Sequence, residues 1–371
     1  MTTLPTTDTA SGKQEEKTVK LFEPYTLRNI TLRNRIVVAP MCQYSSVDGF
    51  ATDWHLVHLG SFAVGGASLV ITEATAVEAR GRISPQDLGI YKDEHIEMLS
   101  RITTFIKAQG ARAGIQLAHA GRKASTYRPW SGNGEVPAEE GGWQTIAPSA
   151  VRFSENYPLP TELSVAEIAE VVQSFQAGAR RALKAGFEVL EIHAAHGYLL
   201  HQFLSPYSNK RTDQYGGSLE NRMRFLVEVT DAIRQVMPDE LPLLVRVSAS
   251  DWTEGGLTVE ESVEIARVLK AHGVDLMDVS SGGNVARAKI AVGPSYQVPF
   301  AESIRRGADI PTGAVGLITE PAQANEILQQ QQADIVLLAR ELLRDPHWPL
   351  RAAHELGYAI TWPKQYERAS L

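Results

Sequence analysis

The chain has 371 residues, 43% hydrophobic and 21% charged, with a net charge of −7 and a sequence pI of about 5.9. This is the composition of a globular protein long enough for two ordinary domains or one large α/β barrel. No dense Lys/Arg run and no long apolar stretch are present, so nucleic acid and membrane are not expected partners. Cys42, the single cysteine, excludes an intrachain disulfide and a cysteine-based zinc cluster.

Residues 1–20 are rich in Thr, Ser and charge and lack the apolar core of a signal peptide. They read as a flexible leader, and the protein as cytoplasmic. From about Arg35, short apolar or β-branched runs alternate with longer amphipathic stretches. The runs at 35–40, 69–76, 113–119, 189–193, 243–248, 276–280, 312–315 and 335–339 predict strands. Between them, stretches such as 93–109, 164–185, 218–237, 258–272 and 320–332 predict helices. Ser164-Val-Ala-Glu167 and Thr258-Val-Glu-Glu261 fit a reciprocal capping box, and Gly110, Gly186 and Gly273 stand where helices should stop.

Strand alternating with helix implies a parallel sheet with right-handed crossovers. Eight strands in one unbroken alternation favour a closed (β/α)8 TIM barrel, a single domain over 21–371 with a C-terminal tail. An open doubly wound sheet is the alternative, because periodicity does not report closure. Segment 125–149, with Trp130, Trp143, Pro129, Pro137 and Pro148, breaks the pattern. It reads as a long loop that either lines a site or is a surface insertion.

The fourth predicted strand, Val189-Leu-Glu-Ile-His193, runs into Ala-Ala-His196-Gly-Tyr198. Barrel chemistry sits at the carboxyl ends of strands. Two imidazoles there can donate to one ligand oxygen. A phenol, with a reference pKa of about 10, keeps a proton to supply beside them. The competing readings are a metal pair completed by Glu191, on the same strand face as His193, or structural histidines and a loop-anchoring tyrosine. Arg246 in the fifth strand and Gln116 in the third need partners wherever they are buried, and together suggest a polar heterocycle at the barrel mouth. Gly313-Ala-Val-Gly316 and Ala339-Arg340 end the last two strands, where such barrels bind phosphate. No Gly-x-Gly-x-x-Gly follows a strand, so a Rossmann domain is not expected. Cys42, just past the first strand, is either inert packing or a functional thiol.

Six motifs in chain order carry a resemblance. They are Ala39-Pro-Met-Cys-Gln-Tyr44, Gln116-Leu-Ala-His-Ala-Gly-Arg-Lys123, His193-Ala-Ala-His-Gly-Tyr198, Ser205-Pro-Tyr-Ser-Asn-Lys-Arg-Thr-Asp-Gln-Tyr-Gly-Gly217, Val245-Arg-Val-Ser248 and Arg340-Glu-Leu-Leu-Arg-Asp345. From about Leu21 to Arg368 the chain resembles the Old Yellow Enzyme family of FMN-dependent ene-reductases, in the thermophilic-like branch that includes the xenobiotic reductases. The resemblance implies a (β/α)8 barrel with FMN at the carboxyl end of the strands and NADPH or NADH as reductant. The implied substrates are electron-poor alkenes: α,β-unsaturated aldehydes and ketones, maleimides and nitroalkenes.

Carried over by position, Ala39, Pro40, Met41, Cys42, Ala74, Gln116 and Arg246 surround the flavin ring, and Gly316, Ala339 and Arg340 hold its phosphate. His193 and His196 bind the activating oxygen of the substrate, Tyr44 lies alongside, and Tyr198 donates the proton. The tail Gln365-Tyr-Glu-Arg368 resembles a segment that lends an arginine to a neighbouring subunit, implying a homodimer or homotetramer with Arg368 at the substrate. The chain departs from the family pattern twice. Ala339 stands where many relatives have glycine, and the tail lacks the terminal aromatic of some relatives. A barrel isomerase or aldolase taking a sugar phosphate at Gly316 and Arg340, or a non-enzymatic flavin-binding protein, are the remaining alternatives.

Overall fold

Strands that read as continuous apolar runs, rather than as alternating ones, need cover on both faces. The chain supplies that cover by closing its sheet. In the computed structural model, which describes residues 19–370, eight parallel strands form a closed barrel. They are β1 (Ile36–Val38), β2 (Leu69–Ala76), β3 (Arg112–Ala118), β4 (Val189–Ala194), β5 (Leu243–Ser248), β6 (Leu276–Ser280), β7 (Thr312–Ala314) and β8 (Ile335–Leu338). Each pairs with its neighbours in sequence, and β8 pairs with β1 through Val336↔Ile36. Closure removes the open-sheet alternative. Most of the predicted leader, residues 1–18, lies outside the described residues, as does Leu371.

Eight helices cover the outside: α1 (Asp53–Val64), α2 (Ile96–Ala108), α3 (Val165–Lys184), α4 (Leu219–Arg234), α5 (Val259–Ala271), α6 (Val298–Ala308), α7 (Pro321–Gln329) and α8 (Trp348–Glu355). The capping boxes of α3 and α5 form as the sequence predicts. Ser164 Oγ accepts from Glu167 N at 3.2 Å while Ser164 N donates to Glu167 Oε2 at 2.8 Å, and Thr258 and Glu261 repeat the exchange. The first strand ends at Val38 rather than at residue 40, because the chain turns there into the loop that carries Cys42. The eighth ends at Leu338, where Ala339 (φ −116°, ψ −96°) leads into a short helix, Arg340–Arg344.

The barrel interior is layered. Its floor is aliphatic: Val37, Leu69, Ile71, Val189, Leu244, Leu276 and Ile335 meet Leu27, Ile30 and Leu32. The last three come from an antiparallel hairpin, Tyr25–Leu27 with Ile30–Leu32, that seals the amino end and precedes the alternation from which the fold was read. Above the floor the interior turns polar, with Gln116, Glu191, Arg246 and Asp278, then His193, Ser248 and Ser280, all buried.

Segment 125–149 is more ordered than a plain loop. It holds a 3₁₀ turn, Ala138–Glu140, and Ile146–Ala147 pairs with Thr161–Glu162. The C-terminal tail lies at the amino end. Tyr358 stacks on Phe22 at 5.0 Å, and residues 358–365 border a cavity of about 580 Å³ shared with Arg33 and Asn34. Among the described residues no helix is long and apolar enough to cross a membrane.

Candidate active site

β4 delivers His193 to the mouth of the barrel, and a sharp turn returns His196 and Tyr198 to the same place. His196 (φ 56°) and Gly197 (φ 74°) are consecutive left-handed residues. Only glycine fits the second position, since a Cβ there would lie 2.3 Å from Gly283 O. The result is a tight aromatic group, with ring centroids 5.2 Å apart for His193–His196 and 5.0 Å for His193–Tyr198. Lys123 Nζ fastens the turn by donating to His196 O at 2.8 Å and Gly283 O at 2.9 Å. His201 Nδ1 accepts from Gly197 N at 2.9 Å and is itself fixed by Asp251 at 3.1 Å. Sequence reading singled out none of Lys123, His201 and Asp251 for a role. The one usable signal was that His201 falls three residues past Tyr198, on the short helix (Leu199–Leu204) that begins just after it.

The two imidazoles are not equivalent. His196 Nε2 lies 2.8 Å from Ser280 Oγ, and Ser280 spends its only proton on Gln297 Oε1 at 3.2 Å. With Ser280 donating to Gln297, His196 Nε2 is the donor of that pair in its Nε2-protonated tautomer. His193 is 4% exposed, and its Nδ1 is buried with no hydrogen-bond partner. Burial, and then the charge of Arg246, hold both rings well below the usual 6.5, so both are neutral at pH 7. Burial drives the Tyr198 phenol up, so it keeps its proton. Burial and the neighbouring Arg122 bring Lys123 down to about 7.

The loop after β1 forms the adjoining wall. Cys42 and Tyr44 pack with Tyr198 and Trp143 against Ile83, Ala120 and Ala124. Glu73 braces this loop, accepting from Gln43 N at 2.9 Å and meeting His55 Nε2 at 3.1 Å. Burial, then the charges of Asp87 and Glu73, push the Cys42 thiol up. It is a thiol at neutral pH and not an activated nucleophile. Tyr44, Lys123 and Tyr198 border a cavity of about 430 Å³ whose far wall includes Tyr127, Pro129 and Asn133. Part of segment 125–149 thus lines the site. Trp130, 64% exposed, stands edge-on to Tyr44 at 5.8 Å.

A second cavity, about 260 Å³, opens beyond β7 and β8 and joins Ala39, Arg246, Ser280, Gly316, Ala339 and Arg340. At Gly316 (φ 112°) a Cβ would come within 2.9 Å of Gln297 Nε2, so the backbone there is laid bare for close approach. Ala339 has a negative φ, which an alanine takes without left-handed strain, so this departure from glycine is accommodated. Ala74 and Gln116 are buried on β2 and β3, and Pro40 and Met41 lie half-buried in the β1 loop. Glu191, the proposed third member of a metal pair, instead accepts from Gln116 Nε2 at 2.8 Å, a layer below the histidines. Arg368 lies exposed in the tail at the opposite end and takes no part in its own chain's site.

Unpartnered buried nitrogens on His193 and Arg246, with a bare backbone cradle and Arg340 at the far end, fit a polar planar ring carrying a phosphate. Fold and site together define a flavin-dependent oxidoreductase barrel. Residues 20–358 match the NADH:flavin oxidoreductase / NADH oxidase family, and the chain belongs to it. It is 55% identical over 350 residues to the NADPH dehydrogenase of Geobacillus sp. (strain WCH70), covering 94% of this chain and 98% of that one. It is 51% identical over 351 residues to the NADPH dehydrogenase of Bacillus subtilis (strain 168), with the same shares. Among solved structures it is similar to morphinone reductase, with TM-score 0.77 and 27% identity over 93% of this chain and 91% of that one. It is also similar to a 2-naphthoyl-CoA reductase in complex with 2-naphthoyl-CoA, with TM-score 0.82 and 27% identity over 91% of this chain but 52% of that longer one. The protein is an FMN-dependent oxidoreductase of the Old Yellow Enzyme type that draws on a reduced nicotinamide. The isomerase, aldolase and non-enzymatic alternatives fall away.

Proposed function

We propose that this enzyme reduces the C=C bond of electron-poor alkenes in the cytoplasm: unsaturated aldehydes and ketones, maleimides and nitroalkenes. The observation that carries the reading is a buried histidine, His193, whose Nδ1 has no hydrogen-bond partner among the described residues, in ring contact with Tyr198 at 5.0 Å between centroids. Bound FMN would supply the hydride chemistry between the nicotinamide and the alkene β-carbon. Ala39, Pro40, Met41, Cys42, Ala74, Gln116 and Arg246 would surround its ring, and Gly316, Ala339 and Arg340 would hold its phosphate.

The activating oxygen of the substrate gains negative charge as the β-carbon is attacked. His193 and His196 donate to that oxygen, so they bind the transition state more tightly than the ground state. One such donor is typically worth about 2.7–4 kcal/mol. The oxygen competes with Ser280 for the His196 N–H, whereas His193 has no protein partner to leave. Tyr198 delivers a proton to the α-carbon, and Tyr44 packs alongside. The protein acts as a homodimer or homotetramer in which Arg368 enters a neighbour's substrate site, consistent with the exposure of Lys364–Ala369.

The test separates the half-reactions. Under anaerobic conditions NADPH should bleach the yellow protein, and cyclohexenone or a nitroalkene should restore the colour. A protein that bleaches but recovers with none of a panel of enones, maleimides and nitroalkenes would overturn the assignment.

A further inference from the structure

Glu191 and Asp278 are buried acids that the reaction above does not use. Both are wholly buried, on the strands that flank β5. Asp278 is the cross-strand partner of Arg246 on β6. Glu191 lies on β4 two residues before His193, which faces Arg246 from the other side. Arg246 Nε approaches Asp278 Oδ2 at 3.2 Å without the alignment of a hydrogen bond, and Gln116 Nε2 donates to Glu191 Oε1 at 2.8 Å. Among the described residues, Glu191 Oε2, both Asp278 oxygens and Arg246 Nε are buried without a hydrogen-bond partner.

Two carboxylates and one guanidinium buried together leave one negative charge uncompensated. A bound proton removes it. Glu191 is the better holder of that proton, since its own partner is a neutral amide while Asp278 faces a cation. Burial and the charge of Asp278 raise the Glu191 carboxyl; burial raises Asp278 as well, against the pull of Arg246. The other titratable groups around the trio are His193, His196 and Lys123. Both imidazoles are neutral, and Lys123 sits with its ammonium on two backbone carbonyls.

We propose that Glu191 and Asp278 together hold a single proton beside Arg246 and thereby set the reduction potential of the bound flavin. They act as positioning residues for charge and touch no substrate. The inference rests on the reading that places Arg246 and Gln116 against the flavin ring. Arg246 favours the extra negative charge that the site takes up on reduction, and each ionised carboxylate beside it cancels part of that effect. With one proton shared, the trio is neutral. Losing that proton at alkaline pH makes it anionic and lowers the potential further.

The experiment is a dye-referenced redox titration of the FMN-loaded enzyme from mildly acidic to mildly alkaline pH. In the pH range where Glu191 keeps its proton, Asp278→Asn should raise the affinity for reduced over oxidised FMN at least tenfold, a positive shift of about 30 mV for a two-electron couple. Glu191→Gln should remove a pH break that the wild type shows. Because either variant could be misfolded, the wild type also carries a test. Its infrared spectrum should contain a protonated-carboxyl band that Glu191→Gln lacks, and absence of that band overturns the proposal. If Arg246→Met moves the potential while both acid variants leave it and its pH profile unchanged, the shared proton is refuted and the flavin site stands. If Arg246→Met also leaves the potential of bound FMN where it was, the placement of Arg246 falls and the proposal falls with it.

Discussion

The two ends of this barrel use the same eight strands in opposite ways. At the amino end the interior is aliphatic and sealed by a hairpin; its residues are satisfied by packing alone. In the carboxyl half of the barrel interior, His193 Nδ1, Arg246 Nε, Glu191 Oε2 and both Asp278 oxygens are buried without a hydrogen-bond partner among the described residues, and left-handed backbone at His196, Gly197 and Gly316 borders them. Unpartnered buried polar atoms are costly in a folded protein, so this cluster inside the barrel marks where a ligand completes the structure. Stability and chemistry are therefore expected to separate along the barrel axis.

The largest expected effect is at the open end. Tyr198→Phe should slow the alkene-driven recovery of flavin colour by about 10²–10⁴-fold, the usual span for lost general-acid help, with the NADPH step and thermal unfolding unchanged. A normal recovery rate would remove Tyr198 as the acid. At the sealed end the split reverses. Leu244→Ala, at a wholly buried floor position, should cost about 2–5 kcal/mol in denaturant unfolding while the folded fraction turns over normally. A large kcat loss there would show that the two ends are coupled.

Acid should sharpen the contrast. The His193 imidazole is depressed in the folded state, so the unfolded chain binds the extra proton. That contribution to stability is fully present above the ordinary 6.5 and is lost as pH falls below it. Its slope is at most about 1.4 kcal/mol per pH unit. Chemical unfolding at successively lower pH should show this slope in the wild type and less of it in His193→Gln; parallel slopes would mean His193 is not the group. The smallest effect belongs to Ser280→Ala. Freeing the His196 N–H should tighten a phenolic inhibitor by about 1 kcal/mol, the net worth of one hydrogen bond. Weaker binding, measured by flavin absorbance titration, would instead show that Ser280 is needed to orient the ring.

How much of this was legible beforehand depended on the range of the interaction involved. The strands at 69–76, 243–248 and 276–280 coincide with β2, β5 and β6, because continuous apolar runs bounded by turns are a local property. The caps at Ser164 and Thr258 are local as well. The hairpin at 25–32 escaped notice because each of its strands is three residues long, too short for a period to show. Lys123 ended a recognised motif, yet its role depends on Gly283, 160 residues away.

Alternation and capping, readable within a few turns of chain, were enough to determine eight parallel strands alternating with helices, and the His193–Tyr198 motif was enough to mark the end of the fourth strand. Tertiary structure alone decided that β8 closes on β1, that Ser280 occupies one imidazole while the other stays free, and that two acids meet one arginine in the interior. Secondary-structure periods are written at spacings of two to four residues, whereas hydrogen bonds and buried charges are settled between strands that the sequence leaves far apart.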